Sequence, residues 1–161
     1  MEVVPTGPDG QTVYRAALPK ETIRPGLFTV RAAGGSDVGP FESSVRIGSG
    51  ISISSSFAPG TVLSFSQPIT VNWAGGDPDT WVTVRVVSHH RVRDAYSSAQ
   101  THTSNGSVTV DPPLPMGPDV EIVVVVTPDP SQVPVISASR LSLGGQNVWK
   151  YIYRFGGLAI Q

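Results

Sequence analysis

Apolar and polar residues alternate along this chain in short runs, and clusters of Gly, Pro and Asp interrupt them. A period of two places successive side chains on opposite faces of a pleated strand, so each run reads as a half-buried β-strand. The pattern predicts strands over Thr12–Ala17, Leu27–Ala33, Phe41–Ile47, Ile51–Ser56, Ile69–Ala74, Trp81–Ser88, Ala99–Ser104, Ser107–Asp111, Asp119–Thr127, Val135–Leu143 and Val148–Phe155. One stretch breaks the alternation. Val92, Ala95, Tyr96 and Ala99 stand at helical spacing, which makes a short helix within Arg91–Gln100 the alternative to a strand there.

Two turns carry sequence signals of their own. Asn105-Gly106 tolerates positive φ at both positions and predicts a two-residue hairpin between the runs ending at Ser104 and starting at Ser107. Gly75-Gly-Asp-Pro-Asp-Thr80 predicts a longer hairpin loop between Ala74 and Trp81. Asp119–Thr127 is apolar on both faces, with Val120, Ile122, Val124 and Val126 on one and Val123 and Val125 on the other, as in a central, covered strand.

Short strands with no helix between them predict an all-β protein, specifically an antiparallel immunoglobulin-like sandwich. From Gly48 onward seven or eight strands fall in about 110 residues, the size of one such domain. Residues 1–47 supply only three, too few to bury a sheet face alone. They are expected to be an additional N-terminal β segment. It would join the main sandwich of residues 48–161, form the tail of an upstream module, or pair its edges with a neighbouring chain.

Composition agrees and narrows the function classes. The 161 residues include 23 Val and 12 Thr but only 7 Leu, with 17 Gly and 15 Pro, a mix that favours pleats and turns over helices. Only 14% of residues are charged and the net charge is −1, with no basic stripe to neutralise phosphates, so nucleic-acid binding is not expected. Cysteine is absent, which removes disulfides, thiolate catalysis and Cys-ligated zinc. The longest aliphatic run, Ile122–Val126, is far short of the roughly 20 residues of a spanning helix, so no membrane insertion is expected. Met1–Pro8 lacks the basic and apolar regions of a signal peptide, which leaves a cytosolic protein or a piece of a longer exported chain.

The segment Leu27-Phe-Thr-Val-Arg-Ala-Ala-Gly-Gly-Ser-Asp-Val-Gly-Pro-Phe41 turns on Gly34-Gly35 and continues as Asp37-Val38-Gly39-x-Phe41. With Ile69-Thr-Val-Asn-Trp-Ala-Gly-Gly-Asp77 and Trp81-Val-Thr-Val84, it resembles Ig-like β-sandwich modules that end large uncharacterised exported proteins of soil acidobacteria. In that family a strand–GG-x-DVG-x-F–strand element closes one module and a V-x-W-x-GG hairpin opens the next. The likeness covers roughly residues 25–145. A Cys that the family often carries near Tyr96–Thr101 is missing here, and Val148–Gln161 diverges. The resemblance implies an exported or cell-surface, multi-module protein and brings no activity or cofactor with it.

Catalytic constellations are not evident. There is no Gly-x-Ser-x-Gly elbow, and most Asp stand beside Gly or Pro, where turn chemistry explains them. His89 and His90 are adjacent, so a strand would aim them to opposite faces; His102 is the residue that could approach one of them. Asp77 and Asp79 are weak calcium candidates as hard oxygen donors in a loop. The residues that carry a binding hypothesis are Trp149, Tyr151 and Tyr153, which alternation places on one face with Phe155. They pack into the core, or they form an exposed row that stacks on sugar rings of a polysaccharide. Trp73 reads as inward-facing, and Trp81 as either.

The expected function is therefore a non-catalytic structural or adhesive module that self-associates through β edges, with a carbohydrate-binding module as the alternative.

Overall fold

The computed structural model describes residues 22–34, 39–64, 66–90, 93–115, 117, 119–133, 135–136, 145–146 and 148–160. Thr12–Ala17 and most of the run expected after Ile136 lie outside them.

The protein is all-β. A ribbon of β1 (Gly26–Ala32) and β2 (Phe41–Ile47) precedes the main body. Two sheets build that body. One has three strands in the order β3 (Ile51–Ile53), β5 (Ile69–Gly75), β8 (Ser107–Val110). The other has five, in the order β4 (Val62–Leu63), β12 (Tyr151–Ile160), β9 (Asp119–Pro128), β6 (Thr80–His89), β7 (Ala95–His102). A small antiparallel pair of β10 (Val135–Ile136) and β11 (Gly145–Gln146) lies between β9 and β12 in the chain.

Alternation decides which side chains meet. Val82, Val84 and Val86 of β6 and Val120, Ile122, Val124 and Val126 of β9 are completely buried. They face Val71, Trp73, Ile69 and Ile51 of the smaller sheet, so the core is an aliphatic slab between the sheets, with Trp73 at one end. As expected, β9 is a central strand, held by β6 on one side and β12 on the other. On its outer face Val123 is nearly buried, set between Arg85 and Arg154. The stems of long cationic side chains cover apolar surface while their heads stay in water.

β12 does two jobs because it is broken. Between Phe155 and Leu158 its register shifts, with Gly157 at φ +68°, a conformation that side chains resist. It pairs antiparallel with β9 before the bulge and again at Leu158 beyond it, and there its other edge takes β4, with Ala159 and Ile160 parallel to Val62 and Leu63. Leu158, immediately beyond the bulge, is buried in the core.

Three local expectations are corrected. The helix alternative fails: β7 begins at Ala95 and pairs without interruption with β6 through His102. Neither predicted hairpin is one. Gly75–Thr80 carries the chain from the smaller sheet to the larger, because β5 pairs with β3 and β8 while β6 pairs with β7 and β9. The Asn105-Gly106 segment also changes sheets, from β7 to β8. It contains a 3-10 turn over Thr103–Asn105 with Gly106 at φ +70°. The Asn-Gly signal reports a left-handed backbone; it does not say which strands pair across it. Gly76, at φ +91°, is fixed twice over, since a Cβ there would lie 2.3 Å from Thr103 Cγ2.

Candidate functional site

The aromatic row formed by Trp149 and the first residues of β12 points inward, toward the segment where the ribbon meets the main body. The Trp149 indole donates to the Arg46 carbonyl at 2.7 Å, the Tyr151 hydroxyl to the Gly48 carbonyl at 3.1 Å, and the Tyr153 hydroxyl to the Ile51 carbonyl at 2.8 Å. Three side chains spaced by two residues thus hold three carbonyls along one short backbone segment. Phe155, last in the row, has no polar tip and packs on Phe57 with ring centroids 5.4 Å apart.

The joined segment is shaped for this contact. A Cβ on Gly50 would stand 2.9 Å from the Tyr153 hydroxyl. On Gly48 it would meet Asp77 Cβ at 3.0 Å and the Trp149 ring at 3.2 Å. Both glycines let aromatic rings reach the backbone. Burial raises the Tyr153 phenol above its ordinary pKa, against the opposing effect of the bond to Ile51, so it stays a neutral donor.

These residues do not form the platform that sugar stacking needs. Trp149, Tyr151 and Tyr153 are half-buried and pack against the core, and the Trp149 and Tyr151 rings meet at 66° rather than lying coplanar. Their polar tips are already bonded to protein backbone.

Beside the joint is a cleft of about 300 Å³. The ribbon contributes Leu27, Ser44 and Arg46, the sheet-crossing loop contributes Asp77 and Asp79, and Trp149 forms one wall. The calcium candidates therefore line a cavity, but they stand there as a pair. Among the described residues no group of three or more His, Asp or Glu side chains converges as metal ligands would. The Asp77 carboxylate accepts the Asp79 amide at 3.4 Å, and its main-chain carbonyl accepts from the Thr80 hydroxyl at 2.6 Å.

A serine and a histidine do meet elsewhere, at the end of β6. Ser88 Oγ and His90 Nε2 are 3.4 Å apart. The same Nε2 lies 3.0 Å from the Pro115 carbonyl, which can only accept, so that nitrogen carries the proton and is not available as a base. Ser88 is fully buried and accepts the Gly117 amide. The pair is a loop anchor. His89 instead faces Asp94 at 3.1 Å. His102 is paired with Trp81, at the opposite end of β6, about 26 Å away at roughly 3.3 Å per residue, so it approaches neither.

Trp73 is buried as its position implied, donating to the Thr103 carbonyl at 2.8 Å. Trp81 lies on the outer face, stacked on His102 with centroids 3.9 Å apart. Among the described residues its buried indole N–H makes no hydrogen bond of good geometry, though it lies near enough to the Asp129 carboxyl to affect it. The Asp129 carboxyl is held below its ordinary pKa by the Ser131 hydroxyl and amide first, then by Trp81.

Sequence reasoning placed the aromatic row on one face but missed what it holds. The Gly48-Ser-Gly50 spacing was the available signal, since two glycines facing an aromatic row leave room for ring-to-backbone contact. Comparison with protein-family models, with curated proteins and with solved structures finds no match. Among the described residues no helix is long and apolar enough to cross a membrane.

Proposed function

We propose that this chain is a non-catalytic structural module with an immunoglobulin-like sandwich over residues 48–161, set at a fixed angle to β1–β2, the described part of the N-terminal segment of residues 1–47. The strand order supports the immunoglobulin-like reading. β3-β5-β8 faces β4-β12-β9-β6-β7, and the chain crosses between sheets after β3, β4, β5, β7 and β8, as Greek-key sandwiches do; all pairs but the short parallel β4–β12 are antiparallel. On this reading β1 and β2 are the closing hairpin of a preceding module, and the protein belongs to an exported or surface-located array. The motifs around Gly34-Gly35 and Gly75-Gly76 support that setting.

One observation carries the proposal: the donor series Trp149, Tyr151, Tyr153 onto the carbonyls of Arg46, Gly48 and Ile51. The acceptors run from the end of β2 (Arg46) through the link (Gly48) to the first residue of β3 (Ile51). The same aromatic row thus holds ribbon, link and sheet together, so the ribbon inherits the orientation of the sheet. Residual dipolar couplings test it. The amides of β1–β2 and of the sandwich should fit one alignment tensor, and Trp149→Ala should split them into two. Independent tensors in the unaltered protein would overturn the fixed joint.

A further inference from the structure

Every sheet has edges, and an edge is a row of unsatisfied backbone donors and acceptors unless the protein blunts it. Most edges here are blunted. β3 has three residues, β4 two, β8 four, and β10 and β11 two each. In the ribbon, β1 carries Arg31 and β2 carries Glu42 and Arg46. β7 is different. It is eight residues long, Ala95-Tyr-Ser-Ser-Ala-Gln-Thr-His102, with no Pro, Lys, Arg, Asp or Glu. It pairs with β6 at every position without a bulge, so its edge is regular. Among the described residues β6 is its only strand partner. No other edge strand there is both longer than four residues and free of charge.

We propose that β7 is a self-association edge, pairing antiparallel with β7 of a second copy to make one continuous sheet across a two-fold axis. A second copy fits because antiparallel pairing of a strand with itself is closed by symmetry and needs no other sequence. Face matching restricts the register. Paired residues must both lie on the outer face or both on the inner face, so the axis falls on a residue, not between two. With the axis at Ala99, the small side chain meets itself. Tyr96 then stands opposite His102 of the second copy, and Ser98 opposite Gln100, an aromatic pair and a hydrogen-bonding pair.

Tyr96 is presented for such a contact. Two-thirds of its surface is exposed, while the Arg85 guanidinium lies 5.2 Å from its ring centroid and holds it over the outer face. This edge is remote from the aromatic joint, so the proposal stands or falls apart from the fixed angle described above.

Sedimentation equilibrium of the full chain tests it, with a cross-link as second readout. The protein should show a concentration-dependent monomer–dimer equilibrium. Ser98→Lys combined with Gln100→Lys sets like charges opposite each other twice and should weaken dimerisation by at least about tenfold. Both positions are exposed, so its thermal midpoint should barely move. The chain has no cysteine, so Ala99→Cys adds a single thiol that should form a disulfide-linked dimer on mild oxidation. A monomer at all concentrations would overturn the proposal. So would a dimer that survives the double substitution, or an Ala99→Cys dimer with no cross-link.

Discussion

The Trp149 indole N–H and the Arg46 carbonyl meet at 2.7 Å although 103 residues separate them. With Tyr151 and Tyr153 continuing the series, β12 and the residues just before it grip the chain from the end of β2 to the first residue of β3. The first prediction follows from this geometry. Tyr153→Phe keeps the ring and removes only the hydroxyl, leaving the Ile51 carbonyl without its donor. It should cost about 1 kcal/mol in denaturant unfolding, the usual net worth of such a bond. Tyr151→Phe, whose bond is longer, should cost less. Equal and negligible effects would mean that water satisfies those carbonyls equally well.

Glycine substitutions separate backbone strain from lack of space. Gly60 and Gly76 both have positive φ, +85° and +91°, but among the described residues nothing lies within 4 Å of a Cβ on Gly60. Gly60→Ala should therefore lose only about 1 kcal/mol, the cost of a left-handed alanine. Gly76→Ala adds contacts at 2.3 Å with Thr103 and 2.8 Å with Ile51, both held in the core region, and should lose roughly 3 kcal/mol or more. Thermal or denaturant midpoints of the two variants check the difference.

Leu158 and Ile152 occupy the same strand at opposite extremes of burial, 1% and 45% exposed. Leu158→Ala opens a cavity behind the bulge and should destabilise by about 2–5 kcal/mol. Ile152→Ala on the outer face should stay within roughly 0.5 kcal/mol. A small loss at Leu158 would show that the bulge can collapse to fill the space.

Two groups predict opposite pH behaviour. Asp129 has a depressed pKa in the folded state, so its contribution is present above the ordinary carboxylate range and is lost as pH falls through the folded value. Ser131→Ala should raise that pKa, read directly from the carboxyl carbon shift in an NMR titration. Tyr153 has a raised pKa, so its contribution is complete below the ordinary phenol range and disappears as pH rises through the folded value. Tyr153→Phe should accordingly flatten the alkaline limb of stability and leave the acid limb alone.

Strand existence was legible wherever one face is buried. β2 begins and ends where the alternation of Phe41–Ile47 does, because burial on one face imposes the period, and β9, apolar on both faces, extends its expected run by one residue. Connectivity was not legible. Asn105-Gly106 and Gly75-Gly76 do mark positive φ, but local backbone freedom is the same in a hairpin and in a crossing between sheets. β4 is two residues held by one neighbour, too short to leave a period. At the joint, alternation put Trp149, Tyr151 and Tyr153 on one side. Their partners are main-chain carbonyls, which have no sequence signature, so the acceptors at 46, 48 and 51 could not be read.

The parallel pairing of β4 with the tail of β12 has a mechanical consequence. Besides the pairs at Val62 and Leu63, backbone bonds join Gly60 to Gly157 and Ala159 to Thr61. Tension applied through the linker at one end and through β12 at the other pulls these two strands lengthwise in opposite directions. All of their hydrogen bonds are then strained at the same moment, whereas an antiparallel pair pulled from adjacent ends opens one bond at a time. The tail of β12 beyond the Gly156-Gly157 bulge, with β9 on one side and β4 on the other, thus makes this short parallel pair a seam loaded in shear.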